Sequence, residues 1–336
     1  MLSLVSIAVP TFDRFDYLQA AVASALAQTY EQIEVLIGDD GTSEQIKAWS
    51  EQLAERDVRV RYRRNPRNLG LAGNWNALAD AARGELLVII GDDDRLLPEF
   101  VARLVEIIEP CAQVAFANHY LIDSRGTRLD AESRACTQQY GREQLPAGEV
   151  ADAAACVWRN SVPVSAALLR TRDVRRLRFK EDLNTPEIEL FARLAHEGGR
   201  FVFTPEYLAE YRVHARSETS TGLRSEKLVK YLATIPVSAG VEPYKRELMA
   251  GLLVDAVGRC LRQNERDEAR QFLRHEYYPR PHVSWRVRQQ SADANGQERA
   301  QVWPRALTCC AQALCARLPV ALGCGAYRLM QRLKRA

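Results

Sequence analysis

The chain has 336 residues, 47% of them hydrophobic and 26% charged, with a formal net charge of +3. That length suits one large domain with an appended piece, or two modest domains, and the composition excludes disordered and fibrous classes. From Arg299 onward there are seven Lys/Arg and no Asp/Glu, so the body is mildly acidic and the far end is basic.

Leu4-Val5-Ser6-Ile7-Ala8-Val9 is a β-branched run ending at Pro10 and reads as a buried strand. From Asp16 to Gln28, apolar residues at Leu18, Ala21, Val22, Ala25 and Leu26 have helical spacing. Ile33 to Ile37 reads as a second strand, stopping at Gly38-Asp39-Asp40-Gly41, and Ser43 is placed to cap a helix running to Arg56. Val58 to Arg63 reads as a third strand and Gly73 to Ala82 as a helix stopped by Arg83-Gly84. Leu86 to Ile90 is a wholly apolar fourth strand, followed by Asp92-Asp93-Asp94 and by a helix from Pro98 to Ile108. Residues 161–177 read as a mixed region, Pro186 to His196 as a helix, and Phe201–Phe203 and Tyr207–Tyr211 as two short strands. Helical stretches rich in Arg, Leu and Ala follow, so we place a boundary near residue 222: a domain over 1–222 and a helical region over 223–336.

Strands alternating with helices imply an α/β domain with a mainly parallel sheet. Ligands gather beyond the carboxyl ends of such strands. Three strand ends carry polar clusters there: Pro10-Thr11-Phe12-Asp13, Asp39-Asp40-Gly41 and Asp92-Asp93-Asp94. Three adjacent carboxylates repel one another, and a divalent cation with hard oxygen ligands, Mg²⁺ or Mn²⁺, resolves that conflict. The competing reading is an acidic turn ahead of the helix that follows Pro98. Asp39-Asp40 reads either as a nucleotide contact or as turn chemistry with a helix cap. The chain has no GxxxxGK[ST] loop and no GxSxG elbow.

Eight cysteines, four of them grouped between Cys309 and Cys324 in a helix-like stretch, read as thiols of a reducing compartment rather than a disulfide framework. The start, MLSLVSIAVPTFD, lacks the basic and apolar regions of a secretory signal. The longest apolar stretch, 306–330, is interrupted by Gln312, Arg317, Pro319 and Arg328, so no spanning helix is expected. After Pro319, Ala326, Leu329, Met330 and Leu333 fall on one helical face and Arg328, Arg332 and Arg335 on another. That pattern suits either a segment lying on an anionic membrane surface or a packed helix with a solvated face. The expected location is cytoplasmic, peripheral on the inner face of the membrane under the first of these two readings. Nucleic acid is not an expected partner, because the basic residues after 222 are mixed with acids until the last segment.

Taken together, these stretches resemble glycosyltransferase family 2. Val5–Phe12 is similar to the family's opening strand, Ser24-Ala25-Leu26-Ala27-Gln28-Thr29-Tyr30 to its S-x-L-x-Q-T-Y, and Ile37–Ser43 to its DDGS turn. Asn68-Leu69-Gly70, Asn74-Trp75-Asn76 and Ala82-Arg83-Gly84-Glu85 resemble the lead-in to the metal motif, and Gly91–Pro98 resembles DxDDxxxP. Pro205–His214 followed by Ser217 and Thr219 resembles P-x-x-L-x-x-Y-R-x-H-x-x-S-x-T. The resemblance covers about residues 4–220.

It implies a GT-A fold, Rossmann-like with a mainly parallel sheet flanked by helices, and a metal-dependent inverting transfer from a UDP-, dTDP- or GDP-linked sugar. The acceptor would be a glycan or a lipid-linked glycan in cell-surface polysaccharide assembly. Pro10, Thr11, Phe12, Asp39, Asp40, Asn74 and Asp92 would bind the nucleotide. Asp93, five residues before the Pro, would be the leading ligand of Mn²⁺ or Mg²⁺, with Asp94 and His214 assisting. Gly91 departs from the motif, standing where many members carry the first Asp. Aligning on Arg193-Leu194 places Glu187 at the family's catalytic base, with Pro186 in place of the preceding Glu and with Glu181, Asp182 and Glu189 as rivals. The alternatives are a sugar-nucleotide nucleotidyltransferase, whose Gly-rich phosphate loop is missing after Pro10, and a catalytically degenerate membrane-associated scaffold of the same fold. Acceptor choice is expected to lie in residues 119–185 and in the C-terminal part.

Overall fold

The computed structural model describes residues 3–108, 112–214, 217 and 223–279. The expected boundary near 222 and the basic tail fall outside them. In chain order the first half holds β1 (Val5–Thr11), α1 (Phe15–Leu26), β2 (Ile33–Asp39), α2 (Glu44–Arg56), β3 (Val60–Arg64), α3 (Gly70–Ala81), β4 (Leu86–Ile89), β5 (Arg95–Leu96) and α4 (Phe100–Ile108). The second half holds β6 (Val114–Ile122), α5 (Asp130–Gln139), β7 (Gly148–Glu149), α6 (Ala153–Trp158), β8 (Ala167–Arg170), α7 (Thr171–Leu177), α8 (Pro186–His196), β9 (Phe201–Arg212), α9 (Ser225–Ala233), α10 (Glu242–Arg262) and α11 (Arg266–Arg274).

The strands form one sheet in the order β3-β2-β1-β4-β8-β6-β9-β5, with β7 also paired to β9. β1 to β4 are parallel, β8 runs antiparallel between β4 and β6, and β6 and β9 are parallel to each other. The sheet is therefore mixed. The two short strands expected near residues 201–211 are one twelve-residue strand. Its pairing with β6 shifts register around Asn118, opposite the Thr204–Tyr207 segment, and Pro205 contributes a carbonyl to the Asn118 amide there. Proline has no N–H for a ladder, so the strand continues through an irregularity rather than ending. The mixed region at 161–177 resolves into β8 and α7.

Side chains alternate across the sheet with period two. Val5, Ile7 and Val9 of β1 and Leu86 and Val88 of β4 join a core beneath α1, α2 and α4. Ala8, Leu87 and Ile89 face the other core, with α3, α6, α7 and α8. Because both faces are covered, β4 is apolar throughout, and the buried Ser6 of β1 satisfies its hydroxyl by donating to Glu34 Oε1 at 2.6 Å. Leu228, Val229, Leu232, Met249 and Leu253 of α9 and α10 join that second core, so these helices complete the layer over α8.

The chain order reverses between β1 and its two neighbours, β2 on one side and β4 on the other. The carboxyl ends of these strands open a crevice where the topology switches, a common place for ligands. Close packing there depends on Gly38: a Cβ would meet Asn74 Oδ1 at 2.7 Å and Leu78 at 2.8 Å. Ser43 caps α2 as expected, accepting from the Ile46 N–H at 3.3 Å. Among the described residues no helix is long and apolar enough to cross a membrane.

Candidate active site

Two polar clusters stand at the carboxyl ends of these strands. The first is built around Asp92-Asp93-Asp94, between β4 and β5. Asp92 is fully buried; it accepts from Thr11 Oγ1 at 2.7 Å and from the Phe12 N–H at 3.4 Å, and it pairs with the Arg14 guanidinium. Asp93 Oδ2 accepts from Arg14 Nη1 at 2.8 Å and lies 2.9 Å from His214 Nε2. Asp94 is buried and accepts from the Arg212 N–H at 2.8 Å. Arg212 also donates from Nε to the Asp93 carbonyl at 2.7 Å and from Nη1 to the Asp123 carbonyl at 3.0 Å, while its guanidinium sits 4.7 Å over the Tyr17 ring. β9 thus carries both the clamp on the acidic turn and, two residues on, His214.

Electrostatics separate the three carboxyls. Burial raises Asp92 to about 6 despite Arg14, and Asp93 adds to the rise. Burial, then the Asp93 charge, raises Asp94 well above the carboxylate range. Burial also pushes Asp93 up, but the hydrogen bond to His214 and the charge of Arg14 outweigh it and hold Asp93 low. Asp93 is therefore the most firmly ionised of the three and the most exposed, with 13% side-chain accessibility against 0% for Asp92.

Asp93 and His214 suit a divalent cation, offering a carboxylate oxygen and an imidazole nitrogen side by side, while Asp92 is bonded to Thr11 and Asp94 to the Arg212 N–H. The Arg14 guanidinium lies on that same Asp93 oxygen. Gly91 leaves room for this arrangement, since a Cβ there would lie 2.6 Å from Asp93 Oδ1.

The second cluster lies at the ends of β2 and β3. Asp39 is fully buried and accepts from the Gly41 N–H (2.9 Å), Tyr62 Oη (2.7 Å) and Arg64 Nε (2.9 Å). Asp40 accepts from Asn65 Nδ2 at 3.0 Å and from the Leu69 N–H at 2.9 Å. Asn74 donates to the Gly38 carbonyl at 2.8 Å and accepts from Asn65 at 3.0 Å. These three residues brace the crevice wall through their own bonds. Asp13, in the left-handed region at φ 53°, accepts from the Thr42 and Ser43 N–H groups at 3.1 and 3.0 Å and ties the β1 loop to the β2 loop. Pro10 is partly accessible at the end of β1, and the Phe12 ring beyond it is 54% exposed, offering an aromatic face.

Glu187 opens α8 directly after Pro186. Burial raises its carboxyl to about 7, the helix N-terminal backbone opposing that rise, and no cationic side chain pairs with it among the described residues. The rivals are otherwise engaged. Glu189 is buried in a two-pronged pair with Arg193 at 2.6 and 2.7 Å. Asp182 accepts from Tyr231 Oη at 3.0 Å, and Glu181 is exposed with a 3.5 Å contact to Asn76. Among the described residues no hydrogen bond joins Glu187 to either cluster, so the structure brings together Thr11, Phe12, Asp92, Asp93, Asp94 and His214 but leaves Glu187 on a separate helix.

Arg14, Arg212 and Asn65 were not singled out by sequence reasoning. Arg14 follows a strand-end polar cluster and Arg212 lies inside the Y-R-x-H string, and these positions were the available signals.

The profile of Glycosyl transferase family 2 matches residues 6–164, a span holding β1 to α6 and the acidic turn. This chain carries a family 2 glycosyltransferase domain. An uncharacterized glycosyltransferase of Haemophilus influenzae is 21% identical to it over 253 residues, 71% of this chain and 77% of that protein. Curated relatives that are 30–33% identical match over shorter stretches, less than half of their own length. The fold of the glycosyltransferase domain is similar to that of TarS 1-349 of S. aureus in complex with UDP-GlcNAc, with TM-score 0.60 and 16% identity over 80% of this chain and 79% of that one. It is also similar to the mannosyltransferase PcManGT of Pyrobaculum calidifontis in complex with GDP-Man and Mn2+, with TM-score 0.58 and 14% identity over 94% and 87%. Its mixed sheet flanked by helices is GT-A-like, and a helical region follows.

Proposed function

We propose that this glycosyltransferase moves a sugar from a nucleoside diphosphate donor to an acceptor hydroxyl with inversion, using a divalent cation held by Asp93 and His214. The observation that carries the reading is the convergence of the ionised Asp93 and the His214 imidazole at the end of β4, beside the wall formed by Thr11, Phe12 and Asp40. Support also comes from the two structures of similar fold described with UDP-GlcNAc and with GDP-Man and Mn2+. An imidazole next to a carboxylate favours Mn²⁺ over Mg²⁺, which prefers an all-oxygen shell. The ion would supply Lewis-acid stabilisation of charge on the leaving diphosphate.

In this reading, Phe12 stacks on the base and the Pro10–Thr11 edge lines the ribose. Asp92 keeps Thr11 and the Phe12 N–H in place, while Asp39, Asp40 and Asn74 hold the wall rigid. Asp94 acts from behind, fixing the turn through Arg212. Glu187 is the base: its raised value puts proton uptake near neutral pH, where a general base works best. It takes the proton of the acceptor hydroxyl as that oxygen attacks the anomeric carbon on the face opposite the diphosphate. The domain division near residue 222, a glycan or lipid-linked acceptor in surface polysaccharide assembly, and peripheral attachment through the tail belong to the same proposal.

A thermal-shift screen of UDP-, dTDP- and GDP-sugars with Mn²⁺ tests it, because a ligand of the folded state raises apparent stability. A metal-dependent rise with one nucleotide class supports the reading. No rise with any donor would sink it.

A further inference from the structure

We propose that Arg14 is the resident counter-cation of the acidic centre and gives up Asp93 when the divalent cation binds. This rests on the metal reading above. Arg14 lies in the turn between β1 and α1, and its guanidinium spans two carboxylates: one nitrogen faces Asp92, and Nη1 lies 2.8 Å from Asp93 Oδ2. That Oδ2 atom is the one 2.9 Å from His214 Nε2. The oxygen that would join the imidazole in holding a metal is the oxygen Arg14 already occupies.

A dication bonds a carboxylate oxygen at ~2.0–2.2 Å. A guanidinium nitrogen on the same atom would then stand within strong repulsion of it. The two cations compete for one oxygen.

The surroundings allow the exchange. Asp92 is anchored independently by Thr11 and the Phe12 N–H, so Arg14 can keep Asp92 while releasing Asp93. The Arg14 side chain is 23% exposed, and it borders an open depression of ≈ 200 Å³ that is also lined by Asp13, Asp16, Tyr17 and Gln45. The carboxylates of Asp13 and Asp16 give the freed guanidinium other acceptors. Arg212 cannot take over the role, because its guanidinium is engaged by the carbonyls of Asp93, Asp123 and Ser124. The pairing keeps the buried Asp92 and the partly accessible Asp93 compensated before metal arrives, at the expense of metal affinity.

The test is Mn²⁺ binding to the full chain by calorimetry, with no donor present, in wild type, Arg14→Gln, Arg14→Lys and His214→Ala. Exchange predicts an apparent Kd for Mn²⁺ about tenfold lower in Arg14→Gln, together with a lower Tm before metal and a larger rise on adding it. Arg14→Lys, charged but without the two-pronged reach, should fall between that variant and wild type. Weaker binding in His214→Ala shows that the signal reports this site. If Arg14→Gln does not fold, Arg14→Lys decides: a Kd below wild type supports exchange. An unchanged or higher Kd in the Arg14 variants overturns it and makes the arginine a holder of the metal-ready site. Wild type that binds no Mn²⁺ refutes the metal reading, and this inference with it.

Discussion

Replacing Glu187 by Gln should abolish turnover while making the protein more stable above neutral pH. In the unfolded chain the carboxyl titrates near its ordinary value of 4.5, and burial in the fold raises it to about 7. Between those values the folded protein keeps a proton that the unfolded chain has lost. Stability from this group is therefore fully present below about pH 4.5 and is lost as pH rises through about 7. At about 1.4 kcal/mol per unit, the ionised carboxylate costs up to ~3 kcal/mol, and nearer ~1–2 kcal/mol given that Glu187 is not wholly enclosed. Gln has the same shape and no charge. Urea unfolding of both proteins at pH 5 and pH 8 should show little difference at the lower pH, and a gain for Glu187→Gln of ~1–2 kcal/mol at the higher. Wild-type kcat should rise with pH through about 7, and the variant should bind donor with little turnover. A stability difference that does not grow between pH 5 and 8, or undiminished turnover in Glu187→Gln, would refute the assignment.

Other substitutions separate support from chemistry. Glu189→Gln breaks the buried pair with Arg193, which also holds the Leu177 and Arg178 carbonyls, and should cost ~3–5 kcal/mol in urea unfolding. Phe12→Ala should leave Tm unchanged, because the ring is exposed, yet weaken nucleotide binding by calorimetry, since stacking on a base contributes ~1–3 kcal/mol. Gly41→Ala would push a Cβ into the Asp13 carboxylate and displace it from the Thr42 and Ser43 N–H groups. A loss of ~1–2 kcal/mol in urea unfolding is expected from those two lost charge-assisted hydrogen bonds, with weaker nucleotide binding alongside.

The first four strands and their helices were legible because each carries a strong local pattern. The apolar runs Val5–Val9 and Leu86–Ile90 need no tertiary information, and the polar clusters beyond them mark strand ends. Residues 112–177 were harder. β6 and the four-residue β8 are buried on both faces, so periodicity distinguishes them poorly from helix, and β5 and β7 are two-residue strands defined only by pairing with β9. β9 was read as two strands because Pro205 interrupts its ladder, and only the pairing with β6 shows that it continues.

At the site, the residues themselves marked the Asp92-Asp93-Asp94 turn, the family resemblance added His214 to it, and the structure joins Asp93 to His214. Division of labour within the acidic run was not legible. It follows from burial and from Arg14 and Arg212, whose partners lie 79 and 118 positions away in sequence. Sequence reasoning likewise offered Asp39 as a ligand residue without showing that Tyr62, Arg64 and Gly41 already surround it.

The most direct test is release of nucleoside diphosphate from the donor that raises Tm in the nucleotide-sugar screen. It is measured with acceptor extract in Mn²⁺, in EDTA and in the variant Asp93→Asn. The account predicts release in Mn²⁺, restoration on adding Mn²⁺ after EDTA, and loss of at least ~100-fold in a folded Asp93→Asn protein, matching removal of the group that anchors charge stabilisation. Metal-dependent release at near wild-type rates by Asp93→Asn would contradict the account.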